Sequence, residues 1–213
     1  MDMARSAAVR RGVKLEQITV AWMVGESVIA IGAGIAARSV LLTAFGFDAV
    51  VELLSGIVVL RLLATEAGGA TTVRVERLER TTTRIAAVLL VMLCVYVVIS
   101  SAAGLALRIA PDPAPLGLSI TAAALIAMPL LARAKRAVNH VINSASLRAD
   151  IAETVSCAYL AAIALVGLGL SMLLGWWWAQ YVAAVALLIW LAPETREALE
   201  SARKRTVDES AGR

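Results

Sequence analysis

A chain of 213 residues that is 60% hydrophobic, with a mean hydropathy of +0.81, carries more apolar surface than one soluble core can hide, and its long charge-poor runs point to membrane spans. The net charge of +4 and pI near 9.5 do not call for nucleic acid or another anionic partner, because the positive-inside rule explains the excess and no nucleic-acid-binding motif is present. Cys94 and Cys157 both lie in apolar runs, which excludes an extracellular disulfide framework, and no nucleophile–base set or phosphate loop argues for an enzyme.

Six hydrophobic segments follow one another along the chain, and they predict an all-α membrane protein built as a six-transmembrane-helix bundle. The basic N-terminus, residues 1–14, precedes an apolar run from about Ile18 to Ala36. That run is about as long as a span and has no convincing small-residue cleavage site, so it reads as the first span and not as a removed signal peptide. The second span is Val40 to Leu62 and the third about Ile85 to Leu107. The fourth is Leu116 to Leu131, the fifth about Ala149 to Leu173 and the sixth Trp176 to Leu191. Ala64 to Thr83 is polar and extends a helix beyond the second span. Pro111, Pro113 and Pro115 break the chain between the third and fourth. Gly175 and Trp176 to Trp178 make a tight turn whose indoles read as an interfacial aromatic belt. The transmembrane domain is expected over 15–191, with a short charged tail over 192–213.

Orientation follows from the 20 Lys and Arg residues: all but Arg38 and Arg108 precede the first span, lie between spans two and three or four and five, or belong to the tail. The rule then puts both termini in the cytoplasm of a multi-pass protein of the plasma or inner membrane. His140 falls in one of these basic connections, where a lone imidazole is expected to be solvated.

Acids inside the spans carry the functional reading. Asp48 and Glu52 are four apart on one helix face. Each costs roughly 2.5–3.5 kcal/mol near a bilayer centre. The fourteen Leu, Ile, Val and Phe residues from Val40 to Leu62 return roughly 0.3–0.6 kcal/mol each, so the two sums nearly cancel. Such a helix has reason to keep both acids if they face a polar cavity, a bound cation or a proton path. On the fifth span Asp150, Glu153 and Cys157 are spaced i, i+3, i+7. Asp150 sits at the lip, expected to be solvated or paired with Arg148. Glu153 lies about one turn deep and Cys157 about two, at a depth similar to that of Glu52, so Asp48, Glu52, Glu153 and Cys157 can converge and are the candidate metal ligands. Carboxylates alone suit hard cations, and a thiolate shifts the preference toward zinc or softer metals. Packing is the competing reading for Cys157, and it is the expected role of Cys94. Glu26 is a fifth intramembrane acid, either a proton carrier or a helix-bridging hydrogen-bond partner.

These residues resemble the transmembrane domain of the cation diffusion facilitator family. RSVLLTAFGFDAVVELLSG is similar to its second helix, with Asp48 and Glu52 at the two ligand positions. RADIAETVSCAYL is similar to its fifth, where Glu153 and Cys157 stand at positions that usually hold His and Asp, and GWWWA fits the turn before its sixth, with Gln180 where an Asp often follows. FGFDAVVELLSGIVVLRL is similar to a small subgroup with a short tail, the transmembrane-protein-163 type of zinc-efflux protein, which lacks the cytoplasmic domain. The resemblance implies six helices, cytoplasmic termini and a homodimer in the lipid bilayer. It also implies proton-coupled efflux of a divalent metal as substrate, with no permanently bound cofactor. An exporter of organic cations using Glu26, or a non-transporting membrane scaffold, is the alternative.

Overall fold

The computed structural model describes residues 3–68 and 73–211, and the described residues are helical apart from the turns that join the helices. Six helices follow in order: α1 (Met3–Ala36), α2 (Val40–Ala67), α3 (Val73–Ala106), α4 (Pro115–Ile142), α5 (Ala145–Leu174) and α6 (Ala179–Ala211). By length and composition four segments among the described residues can cross a membrane: Arg5–Ala36, Ile85–Ala106, Pro115–Ile142 and Ser146–Leu174. The apolar part of α6, Ala179–Pro193, is shorter. Helices satisfy every backbone group internally, which is what a segment surrounded by hydrocarbon requires.

Helices α1, α2, α5 and α4 pack in a ring, each against the next, and α3 and α6 lie against its α2–α5 side. Close backbone approach sets the registers. A Cβ on Gly34 would stand 2.6 Å from the Thr43 backbone nitrogen, and one on Gly46 would stand 2.7 Å from that of Ile31. Only hydrogen fits at those two positions, and small-residue contacts of this kind are how helices associate without a hydrophobic drive between them. Because α1 and α2 run antiparallel, the two contacts bring Glu26 level with Glu52. On the other flank Gly167 of α5 lies against Leu41 of α2, which brings Cys157 to the same level. A core of Leu41, Leu42, Phe45, Met128, Leu160 and Leu168 fills the space between.

The helices run further than the apolar segments. Residues 3–14 are the first turns of α1, and Val9 is buried in a second cluster with Val59, Leu63, Val138, Ile142, Leu147 and Ile151. Sequence spacing explains this continuity: Val9, Gly12, Glu16, Thr19, Met23, Glu26, Ala30 and Gly34 form one buried stripe at three- and four-residue steps. In the same way α4 continues past Leu131 until Asn143, in the left-handed conformation at φ 54°, stops it. Ser144 then caps α5 by accepting from the Leu147 amide. His140 is exposed as expected, though on the last turn of α4 and not in a loop.

At the opposite end the turns latch together. Arg38 pairs with Asp112 at 2.9 Å, and the Asp112 amide donates to the Ala37 carbonyl. Ser39 caps α2 and donates to Gln180, whose amide donates to Ser171, tying α2, α6 and α5. Gly175, at φ 68°, ends α5, and Trp176 and Trp178 stack at 5.4 Å in the exposed turn before α6.

Candidate functional site

The register set by the glycines converges three helices on one level of the bundle. Glu26 from α1 is 1% exposed, Asp48 from α2 5% and Cys157 from α5 1%. The Trp22 indole N–H donates to Glu26 Oε2, a pairing one helical turn apart that turns the carboxylate inward. Cys157 Sγ faces Glu26 Oε1 at 3.9 Å and is also a hydrogen-bonding neighbour of Glu52. The cysteine thus bridges a carboxylate of α1 and one of α2. Glu52 lies within electrostatic reach of Asp48, Glu26 and Glu153. Its Oε2 is buried without a hydrogen-bond partner. An orphaned carboxylate oxygen in a buried site is expensive, and oxygens in that condition are the ones a proton or a cation satisfies.

Of the four candidate ligands, Glu52 and Cys157 therefore meet, with the buried Asp48 and the half-buried Glu153 in electrostatic reach of Glu52. The inward face of α5 is Asp150, Thr154 and Cys157, with Glu153 half-buried at its margin. Among the described residues no three His, Cys, Asp or Glu side chains draw close enough to hold a metal ion between them. Glu26 occupies the level of Glu52 and joins the cluster. Its i, i+4 relation to Trp22 is the sequence signal for that inward orientation. Cys94 packs half-buried against the core, with its sulfur 3.5 Å from the Thr195 hydroxyl.

Asp150 departs from expectation. It is 4% exposed and is neither solvated nor paired with Arg148, which instead donates to Asn143 Oδ1. Its partner is Lys135 of α4, with Nζ 2.6 Å from Asp150 Oδ2, 3.1 Å from Glu16 Oε2 and 3.5 Å from Thr154 Oγ1. The Lys135 and Glu16 side chains are both wholly buried. A cluster of charge counted as loop thus lies inside the bundle between α1, α4 and α5. The cause is the stripe of α4, where Thr121, Ala124, Met128, Ala132, Lys135, Val138 and Ile142 face inward at three- and four-residue steps. Lys135 belongs to that stripe and Arg133 and Arg136 do not, a signal visible in the sequence once the helix is extended past Leu131.

A six-helix bundle with four helices long and apolar enough to span a bilayer, and with carboxylates turned into its interior, defines an integral, multi-pass membrane protein. The family model for the cation efflux transmembrane domain matches residues 17–204, most of the chain, and the chain belongs to that family. Membership supports a cation transporter, the family being one of transporters and not of classical enzymes. No curated protein sequence matches it.

Proposed function

We propose that the protein exports a divalent metal cation, zinc or a similar ion, in exchange for protons, through the centre formed by Asp48, Glu52, Glu153 and Cys157. The observation that carries this reading is the buried, unpartnered Oε2 of Glu52 beside the Cys157 thiol, with Asp48, Glu26 and Glu153 in electrostatic reach. Carboxylates and a thiol take up either a metal ion or protons, so the same atoms hold one cargo after the other. No three of these side chains are preformed as a metal cage among the described residues, so binding requires the α2 and α5 side chains to draw together. Closure of that kind belongs to a transporter that rocks its bundle about a site near the midplane. One thiolate beside carboxylates favours zinc or cobalt over magnesium or calcium. The basic connections put both termini on the cytoplasmic side, and export is the direction that membership of a cation efflux family supports. Assembly as a homodimer in the bilayer is part of the same proposal.

The test is metal flux in proteoliposomes under a proton gradient. Wild-type protein is expected to move zinc, and Asp48→Ala with Glu52→Ala is expected to abolish transport. Undiminished flux in that variant rejects the centre. The absence of a preformed three-ligand cluster among the described residues favours one second reading, a non-transporting membrane scaffold. That reading requires wild-type vesicles to show no flux of zinc, cobalt, manganese or iron(II).

A further inference from the structure

The buried Lys135 cluster is not part of the transport centre, and its chemistry is that of a cation site with a cation already tethered in it. Three oxygens surround Lys135 Nζ, from Glu16 and Asp150 carboxylates and the Thr154 hydroxyl, at 3.1, 2.6 and 3.5 Å. They come from two helices, and the ammonium reaches them from a third. An ammonium has three N–H donors and takes up such a trio as a small metal ion would. Two further observations go beyond an ordinary ion pair. Two carboxylates near enough to interact electrostatically share one ammonium, a pair of acids that a divalent ion could match charge for charge. Glu16 is wholly buried, and its Oε1 has no hydrogen-bond partner, so the cage holds an acceptor that the lysine does not use.

We propose that Glu16, Asp150 and Thr154 form a second divalent-cation site, filled in this conformation by the ammonium of Lys135. Its ligands are all oxygen, so it takes hard ions such as manganese(II) or magnesium more readily than the thiol-bearing centre does. The two sites share α5, and α1, which carries Glu16, also places Glu26 beside the upper one. Asp150 and Cys157 are seven residues apart on α5, about 10 Å along the axis, and Glu16 and Glu26 are ten apart on α1, about 15 Å. Withdrawal of Lys135 opens the lower site on the inner face of α5 that also carries Cys157. The lysine is thus a built-in competitor for the cargo.

The experiment uses the full chain, purified in detergent, with Asp48→Ala and Glu52→Ala in the background so that the upper centre is removed. Manganese(II) binding is followed by electron paramagnetic resonance. The background protein is expected to bind no manganese tightly. Adding Lys135→Met is expected to bring about one manganese ion per chain, and adding Glu16→Gln and Asp150→Asn to remove it again. Lys135→Met binding no more than its background overturns the proposal, as does a gain that survives loss of both carboxylates. Lys135→Met alone is expected to be less stable than wild type, so thermal melting supplies a second readout. Manganese should raise its melting temperature by several degrees and leave the Glu16→Gln, Asp150→Asn, Lys135→Met protein unmoved. A Lys135→Met protein that no concentration of manganese folds contradicts the proposal, because the metal then cannot take the place of the ammonium. Failure here leaves the Glu52–Cys157 centre standing, and failure of zinc flux leaves this site standing.

Discussion

Two levels of one helix bundle solve the same electrostatic problem in opposite ways. At the level of Glu16 and Asp150, two buried acids are held by a lysine from a third helix. At the level of Glu26 and Glu52, the partners are the Trp22 indole and the Cys157 thiol, which are neutral, and one carboxylate oxygen is left unsatisfied. The lower arrangement carries its counter-charge within the chain and ties α1, α4 and α5 together, with Glu16 Oε1 left unpartnered. At the upper level Glu26 and Glu52 rest on neutral partners. A protein that moves cations needs such a level, where the counter-charge comes from outside and leaves again, next to one that keeps the helices in place.

If this contrast is right, the two levels respond differently to loss of charge. Removing the lysine by Lys135→Ala strands two acids and is expected to destabilise the protein by about 3–5 kcal/mol, read as a loss of folded yield and melting temperature in detergent. Asp48→Asn with Glu52→Gln is expected to leave melting temperature unchanged or raised while zinc flux disappears, since neutral amides relieve repulsion between buried acids. Equal destabilisation by both changes would erase the distinction. A change that shifts register should disturb both levels together: Gly46→Val drives a side chain into the Ile31 backbone and is expected to cost about 1–3 kcal/mol as well as flux. Trp22→Phe removes one hydrogen bond to the Glu26 carboxylate and is expected to cost about 1–3 kcal/mol, with altered transport but the lower level intact. The smallest effect belongs to Arg38→Ala. Its pair with Asp112 is more than half exposed on both sides, and its loss is expected to cost no more than about 1 kcal/mol by thermal melting.

Much of the architecture is legible in the sequence because apolar runs and turn residues are strong local signals. Gly175 and the three tryptophans mark the α5–α6 turn, and Asp48 and Glu52 declare themselves by sitting where hydrocarbon disfavours charge. Helix ends are less legible, because hydropathy stops at the membrane edge while hydrogen bonding does not. So α1 reaches back to Met3 and α4 on to Ile142. Lys135 shows the consequence: a positive charge in a basic stretch reads as loop until its place on the inward stripe with Met128 and Ala132 is noticed. Which acids meet across helices depends on registers set by glycines such as Gly34, Gly46 and Gly167, and sequence spacing within one helix carries no information about that. Hence Glu26 belongs with Glu52 and Cys157, and Asp150 belongs with Glu16.

The claim on which the account rests is that Glu52 and Cys157 together receive the transported cation. Cobalt(II) titration of the purified chain, followed by thiolate-to-cobalt charge-transfer absorption, tests it most directly. The account predicts a saturable band in the wild-type protein that is lost in Cys157→Ser and greatly weakened in Glu52→Gln. A wild-type protein that binds cobalt with no such band, or a band indifferent to Glu52→Gln, would contradict it.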